Sequence, residues 1–394
     1  MSSGFATHAE TAPIPSTWRA VAGFLLSGFL FALLGAILPA WEAQQPFGFT
    51  TVGNYFLSLS VGVIVSGEVA PRLQRRRGWP FLLVFASVLA CIALLYLSIS
   101  PPPAPAWMRM TGVFLIGLAT GILNTALFHA ISPNYERDPA GTVNTGGIFY
   151  GLGCLAAALL VGATFYVPSI LTLVAIVPAA FVGMYAHMPM PITGEAQQPT
   201  MRQAFRDFRS TGAVLFALLL FFQFGNEWSI AGWLPLYVIH RLGKSPTTAI
   251  ALLALYWLAL LVGRTIAVSA LPRLAHGKLL LVSVLAAMFG CVILAFTDNL
   301  FGACAGILTI GAGFASIYPL VAEKIGRRFP YYNPGLFNGI FSFALMGGML
   351  APATVGYAAA EWGIGIVAWL PALGTTMVFV LLLLIWLESK VTGR

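Results

Sequence analysis

WRAVAGFLLSGFLFALLGAILPA, residues 18–40, carries one ionisable side chain, Arg19, at its edge. At about 1.5 Å per residue such a run crosses a hydrocarbon core about 30 Å thick as a single helix. The pattern recurs along the chain. Taken with it, the runs at 50–71, 79–100, 107–131, 140–164, 167–187, 210–238, 246–271, 277–297, 300–324, 335–358 and 362–387 make twelve candidate spans. Asp298-Asn299 and Glu361 supply the polar breaks in the two tightest connections. Of the 394 residues 59% are hydrophobic and only 8% charged, with a mean hydropathy of +0.89. Soluble domains carry roughly 25% charged residues, so this chain cannot cover a globule of its size with solvated side chains. A cytosolic enzyme, a nucleic-acid-binding protein and a disordered chain are excluded, and lipid is the solvent.

The net charge of +8 then reports orientation rather than an acidic partner. With twelve spans, one face holds Arg19, Arg72, Arg75, Arg76, Arg77, Arg137, Arg202, Arg206, Arg209, Arg273, Lys278, Lys324, Arg327, Arg328, Lys390 and Arg394. The other holds Arg109, Arg241 and Lys244, and Arg264 lies within a span. Basic residues mark loops that stay in the cytoplasm, so both termini are expected there, in a multi-pass protein of the cell (inner) membrane. The first 17 residues lack a charged start followed by an apolar run, so no cleavable signal is expected. Cys91, Cys154, Cys291 and Cys304 sit far apart inside apolar runs and read as core packers. Neither a metal nor a cofactor is expected.

The longest polar stretch falls between spans six and seven. In it Met201, Phe205 and Phe208 form one stripe and Arg202, Arg206 and Arg209 a neighbouring one, which reads as a short amphipathic helix on the inner leaflet. The chain divides there: a tail at 1–17, a six-helix bundle at 18–187, a linker at 188–209, a second bundle at 210–387 and a tail at 388–394. The halves echo each other. Pro71-Arg72-Leu73 ends span two and Pro272-Arg273-Leu274 ends span eight, each preceded by Val-Ser, at 65–66 and 268–269. Asn144, Phe149, Gly153 and Val161-Gly162 match Asn338, Phe343, Gly347 and Val355-Gly356 at one constant offset. The expected fold is all-α, two pseudo-symmetric six-helix bundles related by an axis along the membrane normal. Gly117/Gly121 and Gly147/Gly151 are small-xxx-small pairs that let helices approach closely.

After span two the sequence reads Gly67-Glu-Val-Ala-Pro71-Arg72-Leu-Gln74-Arg75-Arg76. This resembles the loop signature of the major facilitator superfamily, G-x-x-x-D-R-x-G-R-[RK], with Pro71 in place of the Asp and Gln74 in place of the second Gly. The resemblance covers nearly the whole chain and implies gating roles for Arg72 and Arg75, with Glu68, four residues before Arg72, standing in as the carboxylate. The second half is most similar to fucose-permease-type sugar symporters, through Gly225-Asn226-Glu227-Trp228, Gly232-Trp233-Leu-Pro235-Leu-Tyr237, Gly311-Ala-Gly313 with Tyr318-Pro319, and Gly347-Gly348 with Pro352. That group uses carboxylates in spans one and four for protons. The matching positions here, around Gly35-Ala36 and at Asn124, do not titrate, so proton coupling does not carry over. The drug-antiporter pattern G-x-x-x-G-P in span five is not met, because Gly147-x-x-x-Gly151 is followed by Leu152.

Polar groups inside spans are expensive and face a cavity or a partner. Glu227, past the midpoint of span seven, is the first candidate for substrate binding and proton coupling; an unpaired carboxylate there is either protonated or paired. Gln223, Asn226 and Trp228 flank it with donors, acceptors and a ring face, the ingredients of a sugar site. Its alternative is a structural carboxylate beside Gly225, Gly232 and Pro235, which loosen the helix. Asn124 and His129 are five residues apart, about 140° around a helix, so only one faces a cavity; His129 is a proton-relay candidate or a structural histidine. Asn144, Tyr256, Tyr318 and Asn338 are further cavity candidates, with interhelical hydrogen bonding as the alternative. Arg264 reads as a snorkelling arginine, with a gate residue or a contact for an anionic substrate as alternatives, Glu323 with Arg327 as an i,i+4 gate or surface pair, and Glu42 as an interfacial residue rather than a coupling carboxylate. The expected protein is a monomeric transporter of a small neutral polar solute, a monosaccharide for instance, with possible proton coupling and neither enzyme activity nor a nucleic-acid partner. An exporter of drugs or amphipathic metabolites and a non-transporting receptor are the alternatives.

Overall fold

A backbone surrounded by lipid can satisfy its N–H and C=O groups only within itself, so each apolar run becomes a helix. The computed structural model describes residues 16–137, 139–167, 169–187, 211–270, 276–328 and 334–392. The helices are α1 Ser16–Gln44, α2 Phe49–Arg77, α3 Trp79–Ser98, α4 Ala106–Arg137, α5 Pro139–Ala163, α6 Ile170–Ala186, α7 Thr211–Leu242, α8 Pro246–Ala270, α9 His276–Phe296, α10 Leu300–Arg328, α11 Pro334–Trp362 and α12 Ile366–Thr392. The expected amphipathic stretch at 188–209 and the Pro272-Arg273-Leu274 repeat lie outside the described residues. So does the break before α5.

Besides α4 and α12, which run on to Arg137 and Thr392, three boundaries differ from expectation. Eleven helices are long and apolar enough to cross a membrane, but α6 is shorter and broken into Ile170–Val174 and Ile176–Ala186. Pro178 has no N–H to offer the Val174 carbonyl, which accounts for the break. Ala175 between the pieces stays right-handed (φ −64°, ψ −14°), so the chain direction is kept. Second, α2 does not stop at Pro71 but runs on to Arg77, ending at Gly78 with φ +78°. Third, Glu361 lies in the last turn of α11, and the break is supplied by Gly363-Ile364-Gly365, with Gly363 at φ +83°. The α9–α10 connection forms where expected: Asn299 Oδ1 caps α10 by accepting the Gly302 N–H at 2.8 Å.

The helices pack as two equivalent sets. In the first half α1 lies against α5, α2 against α4, and α3 against α4 and α6; in the second α7 lies against α11, α8 against α10, and α9 against α10 and α12. The halves meet along α2/α11 and α5/α8, which a twofold rotation interchanges, and along α1/α7 on the axis itself. The sequence repeat marks the same crossing twice. Gly153 of α5 sits on the Leu25 carbonyl of α1, and Gly347 of α11 sits on the Phe221 carbonyl of α7. A Cβ at either would collide with backbone, so the glycines set the helix separation. Outward-facing sides are apolar: α3 exposes Phe85, Val88, Ile92 and Leu95 while burying Leu83, Ala86, Ala90 and Leu94. Lipid tolerates such a face; water would not. The start of α1 and the end of α12 lie on one face, where Arg19 of α1 donates to the His187 carbonyl just after α6 and Arg328 of α10 pairs with Glu388 of α12. The opposite face is the distal face.

Replacing Gly153 or Gly347 by Ala should each destabilise the purified protein by about 1–3 kcal/mol through overpacking. Gly183→Ala, where a Cβ meets nothing within 4 Å, should leave the unfolding temperature unchanged. Equal thermal-melting curves for all three would show that this crossing does not set the packing.

Candidate functional site

Where the bundles meet, α7 carries Gly232 and α1 carries Gly35, and their missing side chains let the helices close. A Cβ on Gly35 would lie 2.6 Å from the Ala231 carbonyl, and the Phe56 ring of α2 fills the space beside Gly232. Beneath this contact lies a cavity of about 30 Å³. It is lined by Phe31, Ala32 and Gly35 of α1, Phe56, Leu59, Ser60 and Val63 of α2, Tyr150 of α5, Trp228, Ala231 and Gly232 of α7, Trp257 of α8, and Gly348, Met349 and Pro352 of α11. That volume admits about two waters and no monosaccharide, so a solute enters only when the bundles part. Five of the fifteen lining residues are aromatic, with Phe31 and Trp228 4.6 Å apart between ring centroids. Ser60 donates to the Phe56 and Met349 carbonyls, both at 2.9 Å. The Trp257 indole N–H is buried and has no hydrogen-bond partner.

Glu227, one residue before Trp228, turns toward α8, where its Oε1 lies 3.5 Å from Arg264 Nη2. Both side chains are under 10% exposed. Arg264 is therefore not a snorkelling residue: it points inward, and its Nη1 donates at 3.1 Å to the Gly147 carbonyl of α5, in the other bundle. Gly147 permits this, because a side chain there would occupy the space Arg264 uses. The Tyr256 hydroxyl donates to the Glu227 backbone carbonyl at 3.2 Å, fixing α7 to α8. Gln223, one turn before Glu227, is fully buried beside the Glu227 carboxylate, and Arg264 Nε is unmatched. Two buried charges are costly unless paired. Here they are paired, and unused donors remain beside the cavity.

The remaining candidates separate. Asn226 faces away from the cavity and donates to Thr375 Oγ1 of α12 at 3.3 Å, packing over Gly374. Asn124 accepts from Ser27 Oγ at 2.7 Å, joining α4 to α1. Neither lines the cavity, nor do His129, Asn144 and Tyr318; Tyr318 packs its ring on Phe224. Glu68 and Arg72 pair at 3.0 Å, but both are exposed and on one helix, so the contact spans no interface; Arg75 is exposed beside them. Glu323 pairs with His276 Nδ1 of α9 at 3.0 Å. The side chains of Arg327 and Asn338 lie outside the described ones.

Glu42, in the last turn of α1, has a partner on the other bundle. Its carboxylate meets His240 Nε2 at 3.1 Å, from α1 to α7 across the distal contact between bundles. Phe49 of α2 packs edge-on to the His240 ring at 5.3 Å and also touches Trp233. Sequence reasoning missed His240, since one histidine at the end of an apolar run carries no signal of what it meets.

The family model for the Major Facilitator Superfamily matches residues 145–346. The chain is 22% identical over 346 residues to an uncharacterised MFS-type transporter of Yersinia pestis, covering 85% of this chain and 87% of that protein. The fold is similar to that of a D-xylose–proton symporter (TM-score 0.73, 17% identity, 94% of this chain and 96% of that one). It is also similar to the nucleoside transporter NupG (0.69, 14%, 93% and 99%) and to the E. coli fucose:proton symporter FucP (0.63, 18%, 94% and 98%). This chain belongs to the Major Facilitator Superfamily, a family of transporters and not of enzymes. It is a multi-pass membrane protein with two pseudo-symmetric bundles, as the resemblance implied.

Arg264→Gln should destabilise the protein by about 3–5 kcal/mol, because it strands a buried carboxylate. The double variant Glu227→Gln/Arg264→Gln should recover at least half of that loss in thermal melting. An additive double variant would show that the two charges do not act as a pair.

Proposed function

We propose that the protein is a secondary transporter that carries a small polar, ring-bearing solute, such as a sugar, through the cavity between its bundles, coupled to protons through Glu227. The observation that carries this reading is the buried Glu227–Arg264 pair beside that cavity, with Trp257 Nε1 and Arg264 Nε left without partners. Trp228, Trp257, Tyr150 and Phe31 supply ring faces for stacking, while the unmatched polar atoms fit a solute's hydroxyls or amides. Arg264 also holds Gly147 of the opposite bundle. Protonating Glu227 frees Arg264 to change partners, which couples proton binding to the bundle contact. The site is net neutral when both groups are charged, which suits an uncharged solute. The fold neighbours carry D-xylose, fucose and nucleosides, all compact polar ring compounds.

The assignment includes cytoplasmic termini in the inner membrane, a distal face that looks outward, a monomer, and bundles at 18–187 and 210–387. Glu68, Arg72, Arg75, Glu323 and Arg327 act at the cytoplasmic gate, and His129 is a secondary proton site. The aromatic lining favours one other reading, export of amphipathic compounds; direction of flux in oriented vesicles separates the two.

A thermal-shift screen against sugars, nucleosides and organic acids should first identify the solute. In proteoliposomes Glu227→Gln should then abolish pH-gradient-driven accumulation and spare counterflow. Undiminished accumulation by that variant would end the coupling role of Glu227.

A further inference from the structure

We infer that Glu42 and His240 form a proton-sensitive latch that holds the distal mouth shut, separate from the Glu227 site. The inference rests on the alternating-access reading above. The pair joins α1 of one bundle to α7 of the other at 3.1 Å. Glu42 is 9% exposed and His240 34% exposed, so the imidazole is open to the distal compartment while the carboxylate stays sheltered. Glu42 is held by its own chain as well, accepting the Phe47 N–H at 3.4 Å. Phe49 packs edge-on to the imidazole ring and keeps it at the seam.

The surrounding charged and titratable groups are otherwise engaged. Tyr55 of α2 accepts from Arg109 of α4 at 2.7 Å, and that guanidinium lies over Trp41. Arg241, next to His240, pairs with Asp298 of the α9–α10 connection at 2.8 Å. Tyr237 donates to the Leu294 carbonyl, and Tyr357 of α11 donates to Asn54 of α2. Glu361 of α11 is exposed, and Lys244 lies beyond the end of α7. Glu42 is thus the carboxylate placed against the ring.

Histidine is the side chain whose charge changes between about pH 5 and 8. Neutral, the ring gives Glu42 an ordinary hydrogen bond; protonated, it gives a charge-assisted one, roughly twice as strong. Elsewhere the distal seam is apolar contact among Gly35, Gly53, Phe56, Trp233 and Gly356, together with the neutral Tyr357–Asn54 hydrogen bond. External acid therefore favours the closed distal mouth through this pair.

The test uses the full chain in nanodiscs with spin labels at Gln45 and Lys244, across the distal mouth, and a second pair at Ala130 and Gly326 on the opposite face. The closed-to-open ratio at the distal pair should rise about five-fold from about pH 8 to about pH 5.5. His240→Gln keeps a hydrogen bond without a titrating charge and should remove that rise, as should Glu42→Gln, while both leave the Ala130/Gly326 distances intact as evidence of folding. A rise that persists in His240→Gln, or a distal ratio indifferent to pH while the Ala130/Gly326 pair still samples two distances, overturns the latch alone. Single unchanging distances at both pairs overturn the latch together with alternating access.

Discussion

A charge inside a membrane must find an opposite charge, a dipole or water, and this requirement organises the centre of the molecule. Glu227 and Arg264 meet it together, at 3.5 Å and nearly fully buried. The arginine adds a backbone carbonyl from the other bundle. The pair is therefore more than local compensation within the second half. Arg264 thus links the Glu227 carboxylate to the Gly147 carbonyl of α5. A buried ion pair is weak evidence for stability, since desolvation offsets most of its attraction. Its position at a joint between moving parts is what gives it consequence.

The bundles touch mostly through backbone and rings. Gly35, Gly53, Gly232 and Gly356 bring helices within reach across the seam, and Phe56 and Trp233 fill what remains. Polar ties are sparse among the described residues: Ser60 to Met349, Tyr357 to Asn54, Glu42 to His240 and Arg264 to Gly147. Apolar contacts exchanged for lipid or another apolar surface carry little energy difference. Such a seam separates cheaply, and the few polar ties become the points at which protons or solute can bias it. Within each bundle the contacts are of another kind. Gly153 on Leu25 and Gly347 on Phe221 bring helices together backbone to backbone.

Much of this was readable in the chain. Span count, the break at Asp298-Asn299 and the glycine repeat follow from hydropathy and spacing, because lipid admits few alternatives to a helix and a repeat admits few alternatives to symmetry. Glu227 stood out because a carboxylate in an apolar run is conspicuous. The misreadings arose where direction mattered. Asn226 adjoins Glu227 in sequence but points to Thr375, since neighbouring helical residues diverge by about 100°. Arg264 was taken for a snorkelling residue, because depth alone does not say which way a side chain turns.

The sequence by itself determined that this is a membrane protein of two repeated helical units with a carboxylate held at mid-depth. Periodicity, hydropathy and small-residue spacing act along a single chain and need no knowledge of neighbours. Only the tertiary structure decided that Arg264 answers Glu227, that Gly147 opens its carbonyl to that arginine, and that His240 meets Glu42 across the seam. Each of these pairs joins residues on different helices, and which helix faces which is fixed by packing across the fold rather than by any local pattern.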